Sequence, residues 1–309
     1  MFKTNNFFRM AALSFLAAAV FTMQLSARGA GETSSVPEVS SIEITDHFGR
    51  TVTLDKPAEK IVSLSPAITE TVFALGYGER LAGRTDYCDY PPEAASVPAL
   101  GSLMEPDIEA IAAINPDIVI ASTHFPKEAL EKLENANLKV VVLMGQESFE
   151  GTYNEVIMPV AEILGDKEAG EKIVASMKAT VDKALAEVKT FTKTPTLYYV
   201  VGFGEGGDWT AGGDTFIGKM IEMAGAENIA KDVKGWSFSK ETLVEKDPDI
   251  IIVPGWAKDV FPVTPVYSDL KAVKNGHVYT IDENTIVRQG PRLADGFASL
   301  VEIVAKAAR

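Results

Sequence analysis

Short β-branched runs, separated by stretches of helical periodicity, constrain this chain more than any other feature of its sequence. The runs are almost continuous in apolar residues, a pattern typical of strands that are covered on both faces. They lie at residues 60–64, 118–121, 139–143, 196–201, 250–253 and 277–280. Helical patterns lie at 65–76, 127–137 and 214–224. Alternation of this kind predicts parallel α/β domains.

The chain also contains an internal repeat. Residues 109–120 and 241–252 both read as a short helix, a Pro-Asp turn and an apolar strand, with the turns at Pro116 and Pro248. The offset is 132 residues (241 minus 109), which is close to half of the chain. A shared order of helix, turn and strand indicates that one lobe has been duplicated.

A long helical pattern separates the two copies. Between residues 168 and 189, apolar side chains recur at helical spacing and no proline occurs. A helix of this length spans roughly 33 Å, which is the size of a small domain. An ordinary core helix would show the same periodicity. The position between the two copies favours a rigid connector.

These features predict an α/β protein of two Rossmann-like lobes, joined by one long rigid backbone helix, with a ligand cleft between the lobes. The predicted segments are a signal peptide at 1–29, a flexible leader at 30–41, a first lobe at 42–160, a connecting helix region at 161–192 and a second lobe at 193–309.

The first thirty residues have the pattern of a secretory signal. Lys3 and Arg9 precede an uncharged run at 10–27, and small residues follow, so cleavage after Gly29 is expected. A single membrane anchor is the alternative, but the run is shorter than the roughly 20 residues that span a bilayer. The only cysteine, Cys88, lies far from this junction. We therefore expect an untethered periplasmic protein that carries no lipid on an N-terminal cysteine.

Composition excludes several classes of function. The chain has 29 Lys and Arg against 43 Asp and Glu, a net charge of −14, which disfavours binding to nucleic acid. One cysteine cannot form an internal disulfide or a Cys-rich metal framework. Three histidines are too few for a histidine-rich metal cluster. A site for a bare zinc ion is therefore disfavoured, and no metal ligands are predicted.

Several segments resemble the substrate-binding proteins of bacterial ABC importers, specifically the class in which one helix joins two α/β lobes. The resemblance lies in residues 44–52, 60–76, 86–94, 101–121, 211–228 and 247–253, and it covers nearly the whole chain in order. That class serves cobalamin, ferric siderophores and haem, with a related branch for bare metal ions. The motifs of this class indicate the fold and the transport role specifically, but they say little about the identity of the ligand.

The resemblance implies a periplasmic receptor and not an enzyme. The expected ligand is a chelated metal, with cobalamin first and a ferric siderophore or haem next, and no intrinsic cofactor is implied. The partners would be an ABC permease, contacted directly, and its ATPase. A monomer is expected, and the rigid connector predicts small movements between the lobes.

Ligands of open parallel sheets bind beyond the carboxyl ends of the strands. Candidate contacts are residues that follow predicted strands or lie in aromatic loops, namely Tyr87, Tyr90, His124, Phe125, Trp209, Trp256 and Arg288. Aromatic faces cover flat apolar ligands, and the guanidinium groups of Arg288 and Arg292 could contact acidic groups of a ligand. Each candidate has a structural alternative, since aromatic residues pack in cores, lone histidines are often structural and arginines lie on surfaces.

Two glutamates have a second expected role. In the family, one glutamate on each lobe meets arginines of the membrane permease, and the matching positions are Glu70 and Glu227. A solvated carboxylate near a helix end is the alternative for each of them.

An exported hydrolase is the rival function, with Ser65 or Cys88 as nucleophile. Ser65 follows a predicted strand and starts a helix, as an elbow nucleophile does, but it lacks the flanking glycines of that motif and Pro66 follows it. The simpler interpretation of Cys88 is a small side chain buried in the core. The glycine-rich segment 202–207 lacks the Lys and Ser or Thr of a phosphate-binding loop, so it is expected to be a hinge or ligand-facing loop.

Overall fold

A computed structural model describes residues 41–122 and 124–309 of the chain. The predicted signal peptide at 1–29 and all of the leader except Ser41 lie outside these residues. Within the described part of the chain, no helix combines the length and the apolar character needed to cross a membrane.

A four-stranded parallel sheet forms the centre of the first lobe. An antiparallel hairpin precedes it, made of β1 (Ile42–Thr45) and β2 (Thr51–Leu54). The strands of the sheet are β3 (Ile61–Ser63), β4 (Leu81–Arg84), β5 (Ile118–Ala121) and β6 (Val140–Val142). Their spatial order is β4-β3-β5-β6. Every residue of β3, β5 and β6 is buried, as the continuous apolar runs predicted.

The sheet of the second lobe is mixed. Its strands are β7 (Thr196–Gly202), β8 (Asp208–Thr210), β9 (Glu227–Asn228), β10 (Ser237–Phe238), β11 (Ile250–Val253) and β12 (Val278–Thr280). The order is β10-β8-β7-β11-β12, and β9 pairs with the start of β7. Strands β8 and β10 are antiparallel additions that the sequence did not predict. The chain turns back after β7 through Gly204 and Gly207, whose φ angles of 123° and 115° are readily adopted only by glycine.

Helices cover both sheets. They are α1 (Pro66–Ala74), α2 (Ile108–Ile114), α3 (Lys127–Asn135), α4 (Phe149–Gly151), α5 (Met158–Leu164), α6 (Lys167–Val188), α7 (Phe216–Met223), α8 (Lys240–Lys246), α9 (Lys271–Lys274), α10 (Asn284–Val287) and α11 (Leu293–Ala308). A π-helical stretch, Thr152–Ile157, continues α4 into α5. The helical patterns at 65–76, 127–137 and 214–224 correspond to α1, α3 and α7.

The internal repeat forms the same hydrogen bonds in both lobes. After α2, the Asp117 carboxylate accepts the backbone N–H of Lys60 at 2.9 Å, at the start of β3. After α8, the Asp249 carboxylate accepts the backbone N–H of Thr196 at 2.8 Å, at the start of β7. In each lobe the aspartate of the Pro-Asp turn thus ties the strand that follows it to a neighbouring parallel strand.

Helix α6 connects the two lobes, as the periodicity and the position of the segment predicted. It contains 22 residues. Ile173 packs against the apolar cores of both lobes, whereas Met177 and Val181 belong to the core of the second lobe. Phe149 and Tyr153, which precede the predicted lobe boundary at residue 160, also pack in that second core. The two-lobed α/β fold with one long connecting helix is therefore confirmed.

Candidate functional site

A cavity of about 420 Å³ lies between the lobes. The first lobe lines it with residues that follow the carboxyl ends of β3, β5 and β6, namely Ser65, Pro66, Ala67, Ser122, His124, Met144, Gly145 and Glu147. Leu103, from the segment between β4 and α2, also lines it. The second lobe contributes Phe216, Ile217, Trp236, Ile286, Val287, Arg288 and Gln289. Because strand ends and the start of α7 meet here, the cavity occupies the position expected for a ligand of parallel sheets.

A second cavity, of about 370 Å³, continues the first one onto the second lobe. The two share Ile217, Trp236 and Val287, so they adjoin, and together we call them the groove. Trp209 and Glu283 are among the other residues that line the second cavity. The result is an elongated cleft whose second half is rich in apolar and aromatic side chains.

The three tryptophans are placed differently from one another. Trp236 lines both cavities and Trp209 lines the second. Trp256 is not among the residues that line either cavity, and its ring stacks on that of Phe203 with centroids 5.6 Å apart. Trp256 is nevertheless 61% exposed. The Trp, Tyr and Phe side chains that line the cleft are therefore Trp209, Trp236, Tyr199 and Phe216.

His124 and Phe125 follow β5 but point to different surroundings. His124 is exposed and lines the cavity between the lobes, with a φ of 63°. Phe125 is only 5% exposed and packs in the apolar core of the first lobe. Of these two neighbours, His124 is the one that can meet a ligand in this conformation.

Tyr87 and Tyr90 lie in the loop after β4 and line neither half of the cleft. Tyr87 is 66% exposed. The Tyr90 ring lies under the guanidinium of Arg292, 3.9 Å from its centroid, and lines a separate cavity that also contains Phe73. Neither predicted tyrosine contact therefore lines the cleft in this conformation.

A buried carboxylate joins the lobes beside the cleft. Glu70 of α1 has a side chain that is only 2% exposed. Its carboxylate accepts a hydrogen bond from Arg288 Nη1 at 2.8 Å and two from Arg292, through Nε and Nη2, each at 2.8 Å. Bonds of this kind between ionised groups are the strong ones in proteins. We call these three residues, with Asp89 and Asp282, the interlobe ion network.

The two aspartates complete the interlobe ion network at its exposed rim. Arg288 donates to Asp89 at 2.7 Å, and Arg292 donates to Asp282 at 3.2 Å. The hydrogen bond from Arg288 holds the pKa of the Asp89 carboxyl below its usual value, against a smaller opposing effect of burial. Hydrogen bonds to the carboxylates raise the pKa of Arg292, so both arginines are charged throughout the physiological range.

The two glutamates expected to meet a permease differ in exposure. Glu70 is buried in the interlobe ion network, and it could meet a partner only if its bonds to Arg288 and Arg292 were broken. Glu227, in β9, is 45% exposed and pairs with Lys231 at 2.7 Å, and that hydrogen bond lowers the pKa of the Glu227 carboxyl. Neither carboxylate is therefore presented without a partner from its own chain.

The candidate nucleophiles occupy unlike positions. Cys88 is 1% exposed, and its sulfur lies 3.1 Å from the Thr85 hydroxyl. Ser65 lines the cavity between the lobes at the start of α1. Among the residues that the structure describes, no group of three or more His, Cys, Asp or Glu side chains could hold a metal ion.

Two α/β lobes, one connecting helix and a ligand-sized cleft define a two-lobed solute receptor. The chain belongs to the family described as periplasmic binding protein, whose family model matches residues 61–285. A substrate-binding lipoprotein of an ABC transporter from Bacillus subtilis, YvrC, whose name calls it uncharacterized, is 31% identical over 86% of each chain. A cobalamin-binding protein of Halobacterium salinarum is 28% identical over 82% of this chain and 72% of its own.

Solved structures agree with this assignment. The periplasmic haem-binding protein RhuT of Roseiflexus, in its apo form, superposes with a TM-score of 0.74 at 26% identity, covering 82% of this chain and all of its own. The chain is therefore an ABC-type substrate-binding protein, and the proteins it is similar to include ones named for cobalamin and for haem. The comparisons give no support to a hydrolase. YvrC is named a lipoprotein, which fits poorly with our expectation of a receptor without a lipid anchor.

Sequence reasoning missed part of the cleft. Trp236, Phe216 and Ile217 line it but were not among the predicted contacts. Phe216 and Ile217 could have been predicted from the sequence. They begin a helix that follows the end of a β-strand and a pair of glycines, and ligands commonly bind at such helix starts. Trp236 carried no such signal beyond being one of three tryptophans.

Proposed function

We propose that this chain captures a metal chelate in the periplasm, with cobalamin first and a ferric siderophore or haem next, and delivers it to an ABC permease. The observation that carries the proposal is the groove between the lobes, whose apolar and aromatic lining comes from both of them. The ligand is held without covalent bonds and released unchanged, so the chain acts as a carrier and not as an enzyme.

The size and lining of the groove suit a large, flat ligand. Ligand cavities usually measure about 300–1,000 Å³ and have mostly apolar walls with a few polar groups. Each half of the groove is within that range, and Trp209, Trp236 and Phe216 offer aromatic faces to a macrocycle. A relative named as a cobalamin-binding protein supports placing cobalamin first.

Docking to the permease requires an accessible carboxylate on each lobe, and the internal repeat supplies an equivalent pair. Glu109 lies in the first turn of α2 and Glu241 in the first turn of α8, and both are exposed. Each helix runs back from the strand ends that border the cleft, so its first turn lies at the cleft edge. We include Glu109 and Glu241 in the proposal as docking residues, beside Glu227. In this conformation they are more accessible than Glu70.

Ligand identity is tested by the visible spectrum of the purified protein and by titration with cyanocobalamin, haemin and a ferric catecholate. Tryptophan fluorescence reports binding, since Trp209 and Trp236 line the groove. We predict that Trp236→Ala weakens binding about tenfold or more, as expected for a central aromatic contact. Trp256→Ala is the matched control, because Trp256 is exposed outside the groove. The ligand affinity of this variant should stay within about twofold of wild type.

The same titrations can contradict the proposal. If none of the three chelates binds, the chain is not a receptor for this class of ligand. If Trp236→Ala and Trp256→Ala weaken binding equally, the ligand does not lie in the groove. Turnover of ester or peptide substrates would favour the hydrolase.

A further inference from the structure

The charged side chains along the groove are mostly negative. Among the described residues that line its two halves, and with histidine counted as neutral, the charged ones are Glu147, Glu283 and Arg288. Both glutamates are exposed. A ligand that enters the groove therefore meets two carboxylates and one guanidinium.

The positive charge of Arg288 is already compensated by its own chain. Its Nη1 donates to the carboxylates of Glu70 at 2.8 Å and Asp89 at 2.7 Å. The interlobe ion network as a whole contains two guanidinium groups and three carboxylates. A ligand carboxylate would have to compete with the buried Glu70 for Arg288, and it would add negative charge where negative charge is already in excess.

The same side chains suit a neutral amide. Arg288 has five N–H groups, of which three donate to Glu70, Asp89 and the carbonyl of Tyr87 within the described part of the chain. Its side chain still lines the cavity, so a donor can reach a ligand carbonyl. Glu147 and Glu283 can accept N–H groups. A primary carboxamide offers both a carbonyl and an NH₂ group, without any charge.

We infer that the groove selects metal chelates whose periphery carries neutral carboxamides and discriminates against matched chelates that carry carboxylates. The inference rests on the proposed function, because the same groove must hold the ligand. It places corrinoids, with their amide side chains, above haem, whose propionates are anionic. It also places uncharged siderophores above anionic ones.

The test compares ligands that differ by one functional group. Isothermal titration at neutral pH would measure binding of cyanocobalamin and of its monocarboxylate, in which one peripheral carboxamide is hydrolysed, with haemin as the third ligand. Cyanocobalamin should bind about tenfold more tightly than the monocarboxylate. Because exposed charges are screened by salt, this ratio should shrink when the ionic strength is raised to about 0.5 M.

A charge-removing variant links the preference to the interlobe ion network. Asp89→Asn takes one carboxylate from Arg288 and should reduce the preference for cyanocobalamin over the monocarboxylate about threefold. Asp269→Asn removes the same charge from an exposed aspartate that pairs with Lys274 outside the groove, and it should leave the ratio unchanged.

Two results would overturn the inference while leaving the proposed function intact. One is binding of the monocarboxylate or haemin as tightly as cyanocobalamin. The other is an equal change of the ratio in Asp89→Asn and Asp269→Asn. If neither these three ligands nor the ferric catecholate binds, the proposed function fails, and the inference fails with it.

Discussion

Replacing Glu70 by glutamine should destabilise the protein more than any single change on its surface. The Glu70 carboxylate is 2% exposed and accepts three hydrogen bonds of 2.8 Å from Arg288 and Arg292. Removal of one partner from a buried ion pair commonly costs about 3–5 kcal/mol, because the other charge stays buried without compensation. In Glu70→Gln the amide also places an NH₂ group against guanidinium donors.

Two features of the interlobe ion network reduce the loss of stability expected for Glu70→Gln. Arg288 keeps Asp89 and Arg292 keeps Asp282, and the arginine side chains are 12% and 17% exposed, so neither charge is left fully uncompensated. We therefore expect Glu70→Gln to lower the free energy of unfolding by about 3 kcal/mol, at the lower end of the range for buried pairs. For a domain of this size the melting temperature should fall by about 6–12 °C.

Urea denaturation, monitored by tryptophan fluorescence, measures the change in the free energy of unfolding. The slope of the transition is compared between variants. Glu168→Gln is the matched control, because Glu168 pairs with Lys172 on the surface of α6, with both side chains more than 70% exposed. That control should change stability by less than about 0.5 kcal/mol. If the free energy of unfolding of Glu70→Gln lies within about 1 kcal/mol of wild type, the interlobe ion network contributes little to the stability of the protein.

Three further predictions concern other charged side chains. The hydrogen bond from Arg288 lowers the pKa of Asp89, so its stabilising contribution is complete above the usual aspartate pKa of about 3.9 and is lost as the pH falls through the lowered value. Wild type and Asp89→Asn should accordingly differ in urea midpoint at pH 6 and converge in strong acid; a difference that persists there would contradict this. Charge reversal of Glu109 and Glu241 together should abolish ligand uptake by cells while ligand affinity in titrations stays unchanged, and normal uptake would remove both from the docking proposal. Asp249→Ala should lower the free energy of unfolding by about 2 kcal/mol, since the backbone N–H and the hydroxyl of Thr196, at the start of β7, lose the carboxylate that accepts their hydrogen bonds. A loss under about 0.5 kcal/mol in denaturation would show that the aspartate of the Pro-Asp turn does not stabilise the sheet.

The sequence was sufficient to predict β3, β5 and β6 of the first sheet and β7, β11 and β12 of the second, but not β4 or β9. The pattern was clearest for β3, β5, β6 and β11, because every residue of these strands is buried. β5 and β11 are four-residue apolar runs, and no other element type suits such runs between turn signals. The antiparallel strands β8 and β10 escaped prediction because they contain only three and two residues. A pattern of period two needs at least four residues before it can be recognised.

The site was harder to predict, because its chemistry depends on contacts between distant residues. Arg288 and Glu70 are 218 residues apart in sequence, and no local pattern links them. Arg288 could therefore be recognised as a cleft residue, but not as one whose charge is already paired. Likewise, glycines precede both Trp209 and Trp256 in sequence, yet Trp209 lines the second cavity whereas Trp256 stacks on Phe203 outside the groove.

Both α6 and the interlobe ion network attach the lobes to each other. We expect a receptor attached in this way to hold its groove in nearly the same shape whether or not a ligand is present. The empty and the loaded receptor would then offer the same outer surface to a permease, and the permease would have to recognise the cargo itself at the mouth of the groove. Empty receptors would compete with loaded ones for the membrane complex, and an excess of receptor over ligand would slow uptake.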